Sequence, residues 1–161
     1  MILGLNLLQF TYLHVFLSLV GIGAGIFVLW GLLTSRRLRI LTDLFLVTTL
    51  FTSLTGFFFP FKGVTPGIVI GILSVIALVL AIVALYVKKL AGPWRVVYVV
   101  GICAAYYFNF FVLIAQGFDK VPSLKSVAPT MASPAFGLIQ IFVLMIFLML
   151  TYRAYKKFKP A

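Results

Sequence analysis

Acidic side chains are almost absent from this chain. Its 161 residues include two carboxylates, Asp43 and Asp119, with one histidine, His14, and one cysteine, Cys103. General acid–base pairs, catalytic triads and multi-ligand metal sites each need several such groups in one place, so the shortage argues against hydrolytic and metal-dependent chemistry. A single cysteine also excludes a disulfide within the chain. The sequence therefore predicts a non-enzymatic protein with no catalytic residues and no metal site.

Apolar side chains dominate the composition. Hydrophobic residues make up 64% of the chain and charged residues only 9%, and the mean hydropathy is +1.25. This composition lies outside that of soluble domains and predicts an integral membrane protein. Because a hydrocarbon core about 30 Å thick needs roughly 20 residues of helix, we searched for windows of that length. The predicted spans are 12–33, 41–59, 66–87, 93–116 and 134–152, with an outer loop over 117–133. The expected fold is a single all-α domain, an integral membrane bundle of five transmembrane helices.

Helix-start signals support these boundaries independently of hydropathy. Proline is favoured at the first helical position, where its missing N–H leaves no hydrogen bond unmade. Pro66, Pro93 and Pro134 each follow a residue suited to the N-cap. For the second span, Thr42 followed by Asp43 predicts a cap with a carboxylate near the positive end of the helix dipole. A proton-relay role is the alternative interpretation of Asp43, and capping beside Arg39 is the one we favour.

The positions of lysine and arginine predict the orientation, because basic connections are retained on the cytoplasmic side. Five crossings place ten cations on one side: Arg36, Arg37, Arg39, Lys88, Lys89, Arg95, Arg153, Lys156, Lys157 and Lys159. They leave Lys62, Lys120 and Lys125 on the other. The N-terminus is therefore expected outside and the C-terminus in the cytoplasm. The basic tail suits anionic membrane lipids on the cytoplasmic side, and no nucleic-acid partner is expected.

Polar side chains within the predicted spans gather in the outer half of the bundle. Seven residues form this candidate ligand-binding set: His14, Thr52, Thr55, Tyr106, Asn109, Gln116 and Gln140. One interpretation is an outward-facing pocket, roofed by the outer loop, for a lipid-soluble small molecule or a membrane partner subunit. The other is that these groups join helices through interhelical hydrogen bonds of roughly 0.6 to 2 kcal/mol.

His14 supports a second functional hypothesis, a membrane redox protein that contacts haem or quinone. Haem ligation by two histidines would need a second imidazole, which a homo-oligomer could supply. No cofactor is predicted by the first hypothesis. Neither hypothesis includes a channel, because the inner half of the predicted bundle has no continuous polar stripe.

Small residues recur on one face of the first span. Ser18, Gly21 and Gly25 are spaced at i, i+3 and i+7, and Gly67 and Gly71 repeat the spacing in the third span. Such stripes are typical of closely packed membrane helices. We therefore expect these glycines to serve helix packing.

Two stretches together carry a resemblance to a known family. They are the run from Thr52 to Phe61, TSLTGFFFPF, and the run from Asn109 to Gln116 followed by Lys120–Lys125 and Ala128–Thr130. With His14 and the Gly21/Gly25 spacing, they resemble an uncharacterised family of small bacterial inner-membrane proteins. The resemblance implies a multi-pass protein of the cell inner membrane and no transferable activity.

Overall fold

The regular structure of the chain is helical. A computed structural model describes residues 2–60, 63 and 65–159. Its helices are α1 (Leu7–Leu33), α2 (Arg39–Gly56), α3 (Pro66–Ile82), α4 (Trp94–Lys120), α5 (Pro122–Val127) and α6 (Pro134–Lys157). A π-helical turn, Val83–Val87, continues α3. The described ranges contain no strand, only an isolated bridge between Ile2 and Leu5. The predicted all-α fold class is confirmed.

Four helices are long and apolar enough to cross a membrane: α1, α3 with its π-helical turn, α4 and α6. They correspond to the predicted spans 12–33, 66–87, 93–116 and 134–152. The helix α2 is not among these four. It has 18 residues, and its buried side includes several threonines and Ser53. The second predicted span is therefore a helix whose length and composition do not by themselves indicate a crossing.

The helix ends differ from the predicted boundaries for local reasons. The first helix begins at Leu7 because Asn6 and Gln9 form a capping box, in which each side chain accepts a hydrogen bond from the other residue's backbone N–H. At α2 the predicted Thr42–Asp43 cap is wrong, since the helix begins at Arg39 after Leu38, which makes no side-chain cap.

The remaining boundaries also shift where helices continue beyond the apolar windows. Pro66 and Pro134 occupy the first helical position as predicted, whereas Pro93 precedes the first residue of α4. The predicted outer loop, 117–133, is partly helical, because α4 runs on to Lys120 and α5 follows immediately.

The first two helices pack antiparallel along most of their length. His14 contacts Thr55, Gly21 lies against Thr49, and Gly31 lies against the connection that leads into α2. As the residue number on α1 rises, the residue number of its partner on α2 falls by a similar amount. The two helices therefore lie side by side over about 17 residues of α1, roughly 25 Å at 1.5 Å per residue.

The other helices continue this antiparallel arrangement around the bundle. The helix α2 packs on α3, α3 on α4, and α4 on α6, which returns to contact α1. All ten cations of the predicted cytoplasmic side consequently lie at one end of the bundle, called here the basic end. The opposite end holds the start of α1 and the connection from α4 to α6.

Tyr106 occupies the centre of the packing. Its hydroxyl donates a hydrogen bond to the carbonyl of Ile22 on α1 at 3.1 Å. Its ring meets Phe45 of α2, Phe110 of α4 and Phe147 of α6 in edge-to-face arrangements. This contact needs Gly25, because a Cβ built there would lie 2.4 Å from Cε2 of Tyr106. The expectation that Gly21 and Gly25 serve helix packing is confirmed by these close approaches.

We predict that Gly25→Ala destabilises the bundle by about 1 to 3 kcal/mol, because the added methyl group forces Tyr106 or α1 to move. Gly23→Ala is the matched control on the same helix, since nothing lies within 4 Å of its built Cβ. Replacing that glycine should be neutral or stabilise by up to about 1 kcal/mol. Thermal unfolding of both variants in detergent measures the difference, and equal unfolding temperatures would contradict the packing described.

Candidate functional site

The candidate site is the hydrogen-bonded contact between α1 and α2 near the end opposite the basic end. Nδ1 of His14 lies 2.9 Å from Oγ1 of Thr55. The imidazole also meets the ring of Phe59 edge to face, with 5.1 Å between centroids, and Phe59 in turn contacts Phe10. His14 is half-buried. A single imidazole is thus held in an aromatic setting by one polar contact.

Thr55 determines which imidazole nitrogen carries the proton. Its hydroxyl donates to the carbonyl of Phe51 at 2.7 Å, with the carbonyl of Thr52 at 3.1 Å. A hydroxyl has one hydrogen to give, so the Thr55 oxygen must accept from Nδ1–H of His14. A neutral imidazole has only one N–H, and Nε2 therefore keeps its lone pair. Within the described part of the chain, Nε2 has no hydrogen-bond partner.

Thr52 lies one turn from Thr55 and brings an unsatisfied hydroxyl to the same helix. The residue is 8% exposed, and no described residue is a hydrogen-bond partner of its Oγ1. A buried hydroxyl without a partner costs free energy, of the order of 1 to 3 kcal/mol. Thr52 and His14 are thus the two members of the predicted set on α1 and α2 with hydrogen-bonding capacity left over.

Asn109 belongs to a different contact, deeper in the bundle. Its Nδ2 donates to Oγ1 of Thr49 at 3.2 Å. Both residues are buried, and Gly21 provides the space, since a Cβ built there would lie 2.9 Å from Thr49 Oγ1. The contact joins α1, α2 and α4, and it is the interhelical bonding that the sequence offered as an alternative.

The three remaining members of the predicted set lie apart from His14. Tyr106 bonds the α1 backbone at the centre of the core. Gln140 of α6 is buried and donates through Nε2 to the carbonyl of Phe111 at 3.1 Å. Gln116 is exposed. Seven residues at 100° each bring it back to within about 20° of the direction of Asn109, so its exposure follows from its position near the end of α4.

A small hollow lies under the predicted outer loop. A hollow of about 90 Å³ lies beneath the segment after α5, with Phe118, Asp119, Thr130 and Phe136 among its lining residues. None of the seven candidate residues lines it. This hollow is therefore separate from the contact between His14 and Thr55.

Several polar contacts were missed in the sequence. Thr48 and Thr49 lie against Gly21, and Oγ of Ser53 on α2 donates to Oγ of Ser74 on α3 at 2.9 Å. The sequence does contain a pattern that indicates these contacts, because hydroxyl residues recur along α2 every three or four positions, the spacing of one helix face. An average of hydropathy over a window does not detect that spacing.

Comparisons with family models, with curated proteins and with solved structures find no match to this chain. The site is therefore interpreted from its own geometry.

We predict a measurable coupling between Asn109 and Thr49. A double-mutant cycle with Asn109→Leu and Thr49→Val should give an interaction free energy of about 0.6 to 1.7 kcal/mol, the range of hydrogen bonds between membrane helices. Unfolding in mixed micelles measures it. Pairing Asn109→Leu with Ser74→Ala is the control, because Ser74 bonds Ser53, and that pair should show no coupling. Equal coupling in both pairs would refute the assignment.

Proposed function

We propose that the chain crosses the bacterial inner membrane five times, with the basic end in the cytoplasm and the N-terminus outside. The proposal is supported by α2, which lies antiparallel beside α1 and contacts α3. A helix placed in this way between two crossing helices shares their depth. The charge distribution agrees, since ten of the thirteen lysines and arginines lie at one end, as expected for retained cytoplasmic connections.

A labelling experiment separates five crossings from four. In a Cys103→Ala background, Thr34→Cys precedes α2 and Phe58→Cys follows it, and both positions are exposed. With five crossings, a membrane-impermeant maleimide should label Phe58→Cys in intact cells and Thr34→Cys only after permeabilisation. Labelling of both positions from the same side would exclude a membrane-crossing α2.

We propose further that the protein is a non-enzymatic binder of a lipid-soluble small molecule, with His14 as the contact. One observation carries this proposal: Thr55 holds the imidazole with Nδ1 protonated, which leaves Nε2 as an acceptor. An acceptor beside aromatic rings within a membrane helix suits a hydroxyl on an apolar molecule. A quinol is the ligand class that combines both features.

A second candidate, a haem-binding redox protein, is favoured by the same tautomer. Histidines that ligate metals characteristically donate their other ring N–H to a neighbouring acceptor, as His14 does to Thr55. A second axial ligand would come from another copy of the chain or from a membrane partner subunit.

Two substitutions of His14 distinguish binding from a purely structural role. In His14→Asn, the amide can still donate to Thr55, but nothing replaces Nε2. In His14→Ala both are lost. For the purified protein titrated with a short-chain ubiquinol analogue, we expect both variants to weaken binding at least about tenfold, the loss of roughly one hydrogen bond.

Gln140→Leu is the matched control, since it removes a polar group from the contact between α4 and α6 and should leave affinity unchanged. Wild-type affinity in His14→Asn would refute the quinol proposal. A Soret band in wild-type protein loaded with haem, lost in both His14 variants, would support the second candidate instead.

A further inference from the structure

The basic end has a local feature distinct from the His14 site, at the corner where α2 begins and α3 ends. A groove of about 120 Å³ runs between these helices, and its walls are mainly the apolar side chains of Leu46, Val47, Leu50 and Ile82. Asp43 and Tyr86 also line the groove. Val47 is 53% exposed, so the groove opens on the outer surface of the bundle.

The π-helical turn shapes this corner. Between Val83 and Val87 the helix widens, and the N–H of Lys88 bonds the carbonyl of Val83, five residues back. The turn carries Tyr86, whose hydroxyl donates to the Asp43 carboxylate. Turns of this kind interrupt regular packing and are frequent at functional sites. Here the turn lies beside the groove, and its Tyr86 hydrogen-bonds the one acidic side chain of the basic end, Asp43.

Four cations lie around the same corner, where Asp43 is the one acidic side chain. Arg37 and Arg39 lie at the start of α2, and Lys88 and Lys89 follow the π-helical turn directly, with the Lys88 ammonium over the ring of Trp94. All four side chains are exposed. The ion pairs in the described ranges involve Asp119, which lies at the opposite end. With four cations against the single carboxylate of Asp43, the corner keeps a net positive charge beside an apolar groove.

We propose that this corner is a binding site for an anionic phospholipid. The groove accepts part of an acyl chain, and Arg37 and Arg39, with the neighbouring lysines, hold the phosphate. Basic residues near the membrane surface attract anionic headgroups. Asp43 is one negative charge among four cations, so the net charge of the corner favours an anionic occupant over a lipophilic cation.

Native mass spectrometry of the full chain with equal amounts of dioleoyl phosphatidylglycerol and dioleoyl phosphatidylcholine tests the site. These lipids share acyl chains and differ in headgroup charge. We expect wild-type protein to retain phosphatidylglycerol preferentially. Arg37→Gln with Arg39→Gln should lower that preference about 30-fold, the effect of two basic residues near an anionic surface. Adding inorganic phosphate should not displace the lipid.

A matched control removes the same charge elsewhere at the basic end. Arg153 and Lys157 lie on α6, which packs on α4 and α1, so Arg153→Gln with Lys157→Gln should retain most of the preference. Val47→Trp fills the groove without changing charge and should also weaken retention. Equal losses in the two double variants, an unaffected Val47→Trp, displacement by phosphate, or no preference in wild-type protein would each overturn the proposal. Circular dichroism of every variant verifies that the helices are intact.

Discussion

The contact between Tyr106 and Gly25 is the interaction on which the bundle depends. A ring edge occupies the place where any other residue would carry a Cβ, so α1 and α4 approach more closely than two ordinary helices could. From that position the hydroxyl reaches the α1 backbone, and the ring meets phenylalanines of α2, α4 and α6. One side chain thereby connects four helices. In a membrane, where lipid is as apolar as the helix surfaces, such shape-dependent packing replaces the hydrophobic effect as the reason for association.

Helices of membrane-spanning length also constrain the polar residues. Hydrocarbon offers no hydrogen bonds, so a hydroxyl or amide inside such a bundle costs free energy unless it finds a partner in the protein. Asn109, Ser53 and Thr49 achieve this by bonding across helices. Groups with capacity left over are consequently informative. At one end these are Nε2 of His14 and the hydroxyl of Thr52, which have no partner among the described residues. At the basic end it is positive charge, since ten cations share that end with one acidic side chain, Asp43.

Much of the fold was predictable, and particular residues show where prediction ended. Pro66 and Pro134 marked two helix starts correctly, since a proline's preference for the first turn is local. The capping box of Asn6 and Gln9 is equally local, and the spacing of its two residues can be read from the sequence. Windows of high hydropathy do not detect it, because both residues are polar. For α2, Thr42 and Asp43 looked like a cap, but Asp43 instead bonds Tyr86, 43 residues away. The seven predicted residues do not form one cluster, because His14 and Asn109 bond α2 at different depths and Gln140 bonds α4.

Composition and charge spacing by themselves determined the helical class, the membrane-spanning lengths of four helices and the sorting of ten cations to one end, because each depends on properties that neighbouring residues share along the chain. Only the tertiary structure decided which polar groups meet, that Thr55 is the partner of His14, and that the ring of Tyr106 packs against Gly25. Those outcomes depend on helix rotation and on close approach at glycine. Each residue turns the helix by 100°, so moving one position along the chain can exchange a protein partner for lipid. Hydropathy does not contain the direction of a side chain.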